Sequence, residues 1–315
     1  MVEIAVGTRG SVLALTQANW VADEIKRNNP EVRTRIEIIR TTGDKILDTP
    51  LSKIGDKGLF VKEIEAALAD GRIDAAVHSM KDLPSDMAEG LAIGAVPPRV
   101  DPSDVLLSNK GRLFDLPPGA KIGSSSLRRK AQILHVRPDL TIEDLRGNLD
   151  TRIRRLESGD YDAIILAYAG LYRLKWDGNI AERLPHEICL PAAGQGALAV
   201  EIRKNDPRTA GIVGKLDDQG TRAAVTAERA LLSLLGGGCQ VPIAALAVEN
   251  EGNLTLNALV ASLDGSEIVR AEENGNIADA AALGERTANL LLDKGAKDIL
   301  SKVRQDLSPT GMGAA

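Results

Sequence analysis

The sequence predicts an α/β protein of three parts: two α/β halves, then a small α+β unit with a three-stranded antiparallel sheet. Three observations predict this. Short apolar runs alternate with stretches whose apolar residues recur at helical spacing, the pattern of a parallel sheet covered by helices. The alternation halts where Pro97, Pro98 and Pro102 break any regular element, then begins afresh. Late in the chain the order changes to helix, three consecutive strands and a final helix. At 315 residues, two or three domains are expected.

In order, "VEIAVGTRG" reads as a buried strand ending at glycine, and "SVLALTQANWVADEIKRN" as the helix that follows. "TRIEIIRT" is a second strand, "LFVKEIEAALADG" a helix stopped by Gly71, and "RIDAAVHS" a third strand. After the prolines, "AKIGSSSLRRKAQILHVRP", "LTIEDLRGNLDTRIRRLESG" and "YDAIILAYAGLYRL" give three more strand-helix units. "LPAAGQGALAVEIRKND" reads as a crossover back to the first half. "TRAAVTAERALLSLLGGG" is a helix, "IAALAVE", "LTLNALVAS" and "EIVRAEENG" a meander, and "DAAALGERTANLLLDKGAKDIL" one last helix. The expected domains are residues 1–98 with 197–216, residues 102–192 and residues 219–308. Residues 309–315 form an expected disordered tail.

Aromatic residues make up only 2% of the chain, so its cores must be aliphatic. Two cysteines cannot form a disulfide framework, and no basic segment followed by an apolar one opens the chain. A cytoplasmic location is expected. No run approaches the roughly 18 apolar residues of a membrane span. Walker loops, zinc-ligand spacing and HExxH are absent from the sequence.

Charge is concentrated. Residues 121–155 carry nine basic groups against four acidic ones, +5 within a chain of net −5. That asymmetry points to a local anion site. Ser124, Ser125 and Ser126 stand at a strand end just before a helix opening with Leu127, Arg128 and Arg129, where free N–H groups, hydroxyls and guanidiniums would receive carboxylate or phosphate. A serine there equally serves as a helix cap with solvated arginines beside it. Arg9, Arg146 and Arg152 repeat the logic at or just after other strand ends, where open α/β sheets bind ligands. Arginine favours planar, bidentate partners. Single-stranded nucleic acid would call for aromatic stacking platforms, and the chain has seven aromatic residues in all. A small polycarboxylate or phosphorylated ligand fits better.

Asp82, in "VHSMKDLP" beyond a strand, is placed to stabilise a cation or move protons, or simply to begin a turn before Pro84; His78 and Lys81 stand beside it. Cys239 follows Gly236, Gly237 and Gly238, which leave its sulfur unshielded and its backbone free, as a bulky adduct would need. An idle cysteine after a glycine helix stop is the plainer reading. Cys189, in apolar "EICLP", fits an inert buried thiol.

Taken together, "HSMKDLP", "GSSSLRR", "LRGNLDTR", "DAIILAYAGLYRL", "LPAAGQGALAVE" and "GGGCQVPI" resemble the porphobilinogen deaminase (hydroxymethylbilane synthase) family, in order and over nearly the whole chain. The resemblance implies two lobes like those of type II periplasmic binding proteins. It also implies a dipyrromethane cofactor joined to Cys239 by a thioether. Four porphobilinogens would then be added head to tail, each losing ammonia to give an azafulvene, before water releases hydroxymethylbilane. By the same resemblance Asp82 is catalytic, and Lys81, Ser126, Arg128, Arg129 and Arg146 hold the cofactor together with Asp82. Arg9, Ser11, Arg146, Arg152, Arg173 and Gln195 bind substrate, and Ser79 supports them. Phe60, in "GDKGLFVKE", either covers the cleft or packs at a helix start. The pattern departs at Ser124, where threonine is expected, and in "PPRVDPSD", which blurs a boundary. The family suggests a monomer acting on a small molecule, with no nucleic acid or membrane partner. A cytosolic two-lobed anion sensor, hinged near residues 97–102 and 191–197, is the competing reading. It would have no use for Cys239 or Asp82.

Overall fold

The computed structural model describes residues 2–45, 61–237 and 241–307, so Cys239 and Phe60 lie outside the described residues. Strand β1 (Val2–Thr8) is buried over its last five residues, as a central strand must be. Ser11 caps α1 (Val12–Asn28) by accepting from Ala14 N, and Ala18, Val21, Ala22 and Ile25 form its buried stripe. After β2 (Val32–Ile38) come a single turn α2 (Thr42–Lys45), then α3 (Lys62–Ala69), which buries Ile64, Ala67 and Leu68. Gly71, at φ +73°, ends it. Strand β3 (Ala75–Ser79) runs into a tight turn at Met80–Asp82, followed by β4 (Leu91–Ala95).

The chain then crosses to a second lobe. There β5 (Asp104–Ser108) and β6 (Lys121–Gly123) precede α4 (Leu127–Val136), β7 (Thr141–Glu143) and α5 (Leu149–Glu157). Strand β8 (Ala163–Ala167), α6 (Tyr168–Leu174) and the two-residue β9 (Glu182–Arg183) complete it. The return brings β10 (Leu198–Arg203) and α7 (Pro207–Val213) to the first lobe. The third unit comprises α8 (Gln219–Leu234), β11 (Ile243–Asn250), β12 (Asn253–Ala261), β13 (Ile268–Asn276), α9 (Ala280–Leu291) and α10 (Lys297–Asp306).

Each lobe is a five-stranded sheet, ordered β2-β1-β3-β10-β4 in the first and β7-β6-β8-β5-β9 in the second. In both, three strands are parallel as the alternation predicts. The strand in fourth position, β10 or β5, runs antiparallel to both its neighbours, so the sheets are mixed. The reason is the crossings: β5 and β10 are each the first strand laid down after the chain changes lobe, and each enters its sheet from the end where the lobes meet.

The third sheet is the expected meander, β11-β12-β13. One face packs with α8, α9 and α10 through Ala227, Leu231, Leu256, Leu283 and Leu300, all nearly inaccessible. Ala244, Leu246 and Leu259 on the other meet Ala131 of α4 and Leu190. The single last helix expected from sequence is broken: Gly295 takes φ +104°, and α10 sets off in a new direction. Among the described residues no helix is long and apolar enough to cross a membrane.

Candidate active site between the two lobes

The carboxyl ends of β3 and β8 and the returning crossing converge on one pocket. Gln17, Ser79 and Lys81 of the first lobe, Arg129, Arg152 and Arg173 of the second, and Gly194 and Gly196 of the crossing line it. Close backbone approach makes the convergence possible. Gly196, at φ +88°, lies so near Val100 O that a Cβ would clash, and Gly194, at φ +73°, would place one 2.6 Å from Met80 Cγ. The crossings themselves are joined by Val100 N donating to Gly196 O at 3.3 Å.

Behind the pocket lies a carboxylate that the sequence reading missed. Asp104, wholly buried at the head of β5, accepts from Arg128 Nη1 at 2.6 Å and from Arg129 Nη2 and Nε at 2.7 and 3.0 Å. Burial pushes its carboxyl up, but the two guanidiniums outweigh that and hold it well below the usual carboxylate range. Arg128 also donates to Leu190 O at 2.7 Å, and Arg129 to Ile165 O at 3.0 Å. These arginines are therefore not solvated: Arg128 is buried against Asp104 and Leu190 O, and Arg129 reaches the pocket wall. Gln195 extends the network, donating to Asp104 Oδ1 at 2.9 Å and accepting from Lys81 Nζ at 3.2 Å. Burial, then the nearby Arg129, lower the Lys81 ammonium to about 8. Cys189 touches Asp104 at 3.3 Å and is pushed up to about 12 by burial, the inert thiol its apolar neighbours predict.

Other guanidiniums are less engaged. Arg146 Nε and Nη2 are buried without a hydrogen-bond partner among the described residues, and burial lowers its pKa. Arg152 donates Nε to Gly147 O at 2.8 Å, and Arg173 donates Nη2 to Gly196 O at 2.7 Å. Burial brings each down to about 10; for Arg152 the charges of Arg129 and Arg146 add to the lowering and Asp82 opposes it. Crowded, desolvated cations of this kind are stabilised by an incoming anion. Asp82, exposed on the turn after β3, accepts no hydrogen bond from any described residue. Ser126 caps α4 by accepting from Arg129 N at 3.4 Å, Ser125 donates to Leu145 O at 2.8 Å, and Ser11 caps α1. Arg9 is half-buried just before that cap. His78 points elsewhere, meeting buried Glu201 at 3.0 Å.

A second buried carboxylate ties the crossings to the third unit. Glu228 of α8 accepts from Arg99 Nη1 at 2.6 Å, from Gly194 N at 2.6 Å and from Ala247 N at 2.8 Å. Nothing in the spacing of Asp104 or Glu228 marked them out.

Two family models match the chain: "Porphobilinogen deaminase, dipyromethane cofactor binding domain" over residues 4–211, and "Porphobilinogen deaminase, C-terminal domain" over residues 222–293. A porphobilinogen deaminase of Brevibacillus brevis is 54% identical over 303 residues, covering 96% of this chain and 97% of that one. Those of Pelotomaculum thermopropionicum and Bacillus subtilis are 53% and 50% identical, covering 96% and 98% of this chain and 98% of each relative. Among solved structures, the substrate-binding domain of a putative molybdenum ABC transporter from Clostridium difficile aligns with TM-score 0.42 at 10% identity, over 68% of this chain and 91% of that one.

Proposed function

The chain belongs to the porphobilinogen deaminase family, and from that membership we propose that its polymerisation of porphobilinogen takes place in the pocket between the two lobes. The anion sensor considered from sequence is not favoured, because the family is one of enzymes. One observation carries the placement: Arg146 keeps two buried donors unpartnered among the described residues beside Arg152, a pocket-lining guanidinium lowered first by burial and then by its cationic neighbours. Each pyrrole unit bears two carboxylates, and an unpaired carboxylate in such a place would cost several kcal/mol. The donor set therefore suits a dipyrromethane as well as the substrate.

The dipyrromethane, the cofactor of this family, supplies when bound a free α-carbon at which the chain grows. Arg129, Arg146 and Lys81 would hold its acidic side chains, with Arg128 and Ser126 fixing Arg129 and the start of α4 from behind. Arg152, Arg173, Arg9 and Gln195 would orient the incoming substrate, with Ser11 and Ser79 supporting their backbone and side-chain partners. Asp82, with no donor among the described residues, would face the pyrrole N–H groups and offset positive charge as ammonia departs. Cys239 is the proposed point of attachment. The same reading divides the chain at residues 1–98 with 197–216, 102–192 and 219–308, and makes it a cytoplasmic monomer.

Two measurements test it. Intact mass of freshly purified protein should exceed the chain mass by one dipyrromethane, and Cys239→Ser should lack the addition; an unmodified mass for folded protein overturns the assignment. In Asp82→Ala with cofactor attached, single-turnover addition should slow on the order of a hundredfold or more. A near-normal rate would remove Asp82 from the chemistry.

A further inference from the structure

The turn that presents Asp82 is held from outside its own lobe. Leu83 N donates to Met80 O at 3.2 Å and closes the turn, but Pro84 has no N–H to continue it. The carbonyls of Leu83, Pro84 and Ser85 all point to one side chain of the third unit. Arg229 of α8 donates Nη1 to Leu83 O at 3.2 Å and Nη2 to Pro84 O and Ser85 O at 2.7 and 3.0 Å, and touches Met87 Sδ at 3.6 Å. One helical turn earlier, Val225 packs in the same apolar cluster as Met80 and Leu83. So α8 grips this segment twice, by an apolar contact before the turn's end and by a planar fork of donors after it.

Asp82 itself is exposed and accepts no hydrogen bond from a described residue. No described residue bonded to its carboxylate fixes its place. The direction of that side chain is inherited from the backbone on either side. On the amino side the backbone is tied by Met80 N donating to Ala197 O at 3.0 Å. On the carboxyl side the tie is Arg229.

We propose that Arg229 is a positioning residue that sets the aim of the Asp82 carboxylate by clamping the three carbonyls that follow it. Arg229 thereby acts on the reaction through the loop it holds. The inference rests on the reading of Asp82 as the catalytic carboxylate. A misplacement of the order of 1 Å at a reacting group costs up to about a hundredfold in rate. Lysine, a point charge with no planar fork, could satisfy only part of this arrangement.

The test is a double-mutant cycle on the cofactor-loaded protein, comparing wild type, Arg229→Gln, Asp82→Ala and the double variant. Single-turnover addition of porphobilinogen is followed by intact mass. Arg229→Gln should slow addition on the order of tenfold or more with KM little changed, the pattern of a loss confined to the transition state. In the Asp82→Ala background the same substitution should cost less than roughly twofold, because what it positions is gone. Arg229→Lys should recover part of the rate, and it carries the same cycle if the glutamine variant does not fold. Equal slowing with and without Asp82 would overturn the proposal, as would an unchanged rate in Arg229→Gln while Asp82→Ala is slow. A near-normal rate in Asp82→Ala alone overturns the reading of Asp82, and with it the reason for positioning it.

Discussion

Arg146 stands to gain from a bound carboxylate, because two of its nitrogens are buried and bonded to no described residue. Replacing it therefore removes little from the folded protein and much from the liganded one. Arg146→Ala should leave Tm nearly unchanged, within about 0.5 kcal/mol of stability, yet slow pyrrole addition by roughly tenfold or more, seen as early intermediates accumulating in mass spectra. Lys81 behaves differently, since its ammonium is lowered to about 8 by burial. As pH rises through 8 it loses its charge and its hold on the cofactor's acidic side chains, so pyrrole addition should slow there, and Lys81→Arg should flatten the fall. The sign for folding is the reverse. The unfolded chain holds that proton more tightly than the native one, so this group's contribution to stability improves as pH rises from about 8 toward the ordinary lysine value of 10.5. The arginines were legible in the sequence because their residue type and position after strand ends already implied anions. Asp104 was not, because a carboxylate's partners lie across the fold: Arg128 and Arg129 stand more than 20 positions away, and only the sheet order brings them to it.

Among the elements, the parallel core strands and their helices were readable, since a run such as "AIILA" can only be buried on both faces. Strands β4, β5 and β9 were not, for none is followed by a helix and β9 has only two residues. The break between α9 and α10 was hidden by good helix formers on both sides of Gly295. Strand β5 matters most, because it delivers Asp104 beneath α4. Asp104→Asn would leave two buried guanidiniums without their counter-charge, and should destabilise the protein by roughly 3–5 kcal/mol in urea unfolding. The contact between α4 and the third sheet is just as tight. Gly265 sits at φ +75° where a Cβ would run into Ala131 O, while its own carbonyl meets His135 Nδ1 at 2.8 Å. Gly265→Ala should thus cost about 1–3 kcal/mol, part of it strain at the turn and part displacement from α4.

At the scale of the whole molecule, three bodies meet at Glu228. Its carboxylate binds the outgoing crossing through Arg99, the returning one through Gly194 and the third sheet through Ala247. Glu228→Ala should lower stability by about 3–5 kcal/mol and separate the unfolding of the third unit from that of the lobes, so that probes in each no longer report one transition. The division into three parts was legible because prolines and a change of element order mark it. The knot that joins them was not, since it depends on one acidic side chain within an ordinary amphipathic helix.

The lobes also differ in when they can exist. All five strands of the second sheet lie between Asp104 and Arg183, whereas the first waits for β10, and β4 has no neighbour but β10. A ribosome that has extruded about 190 residues therefore presents a finished second lobe beside a first lobe whose outer strand has nowhere to dock. Synthesis from the amino terminus thus completes the later lobe first, and a chain cut short before β10 would expose the edge of β3.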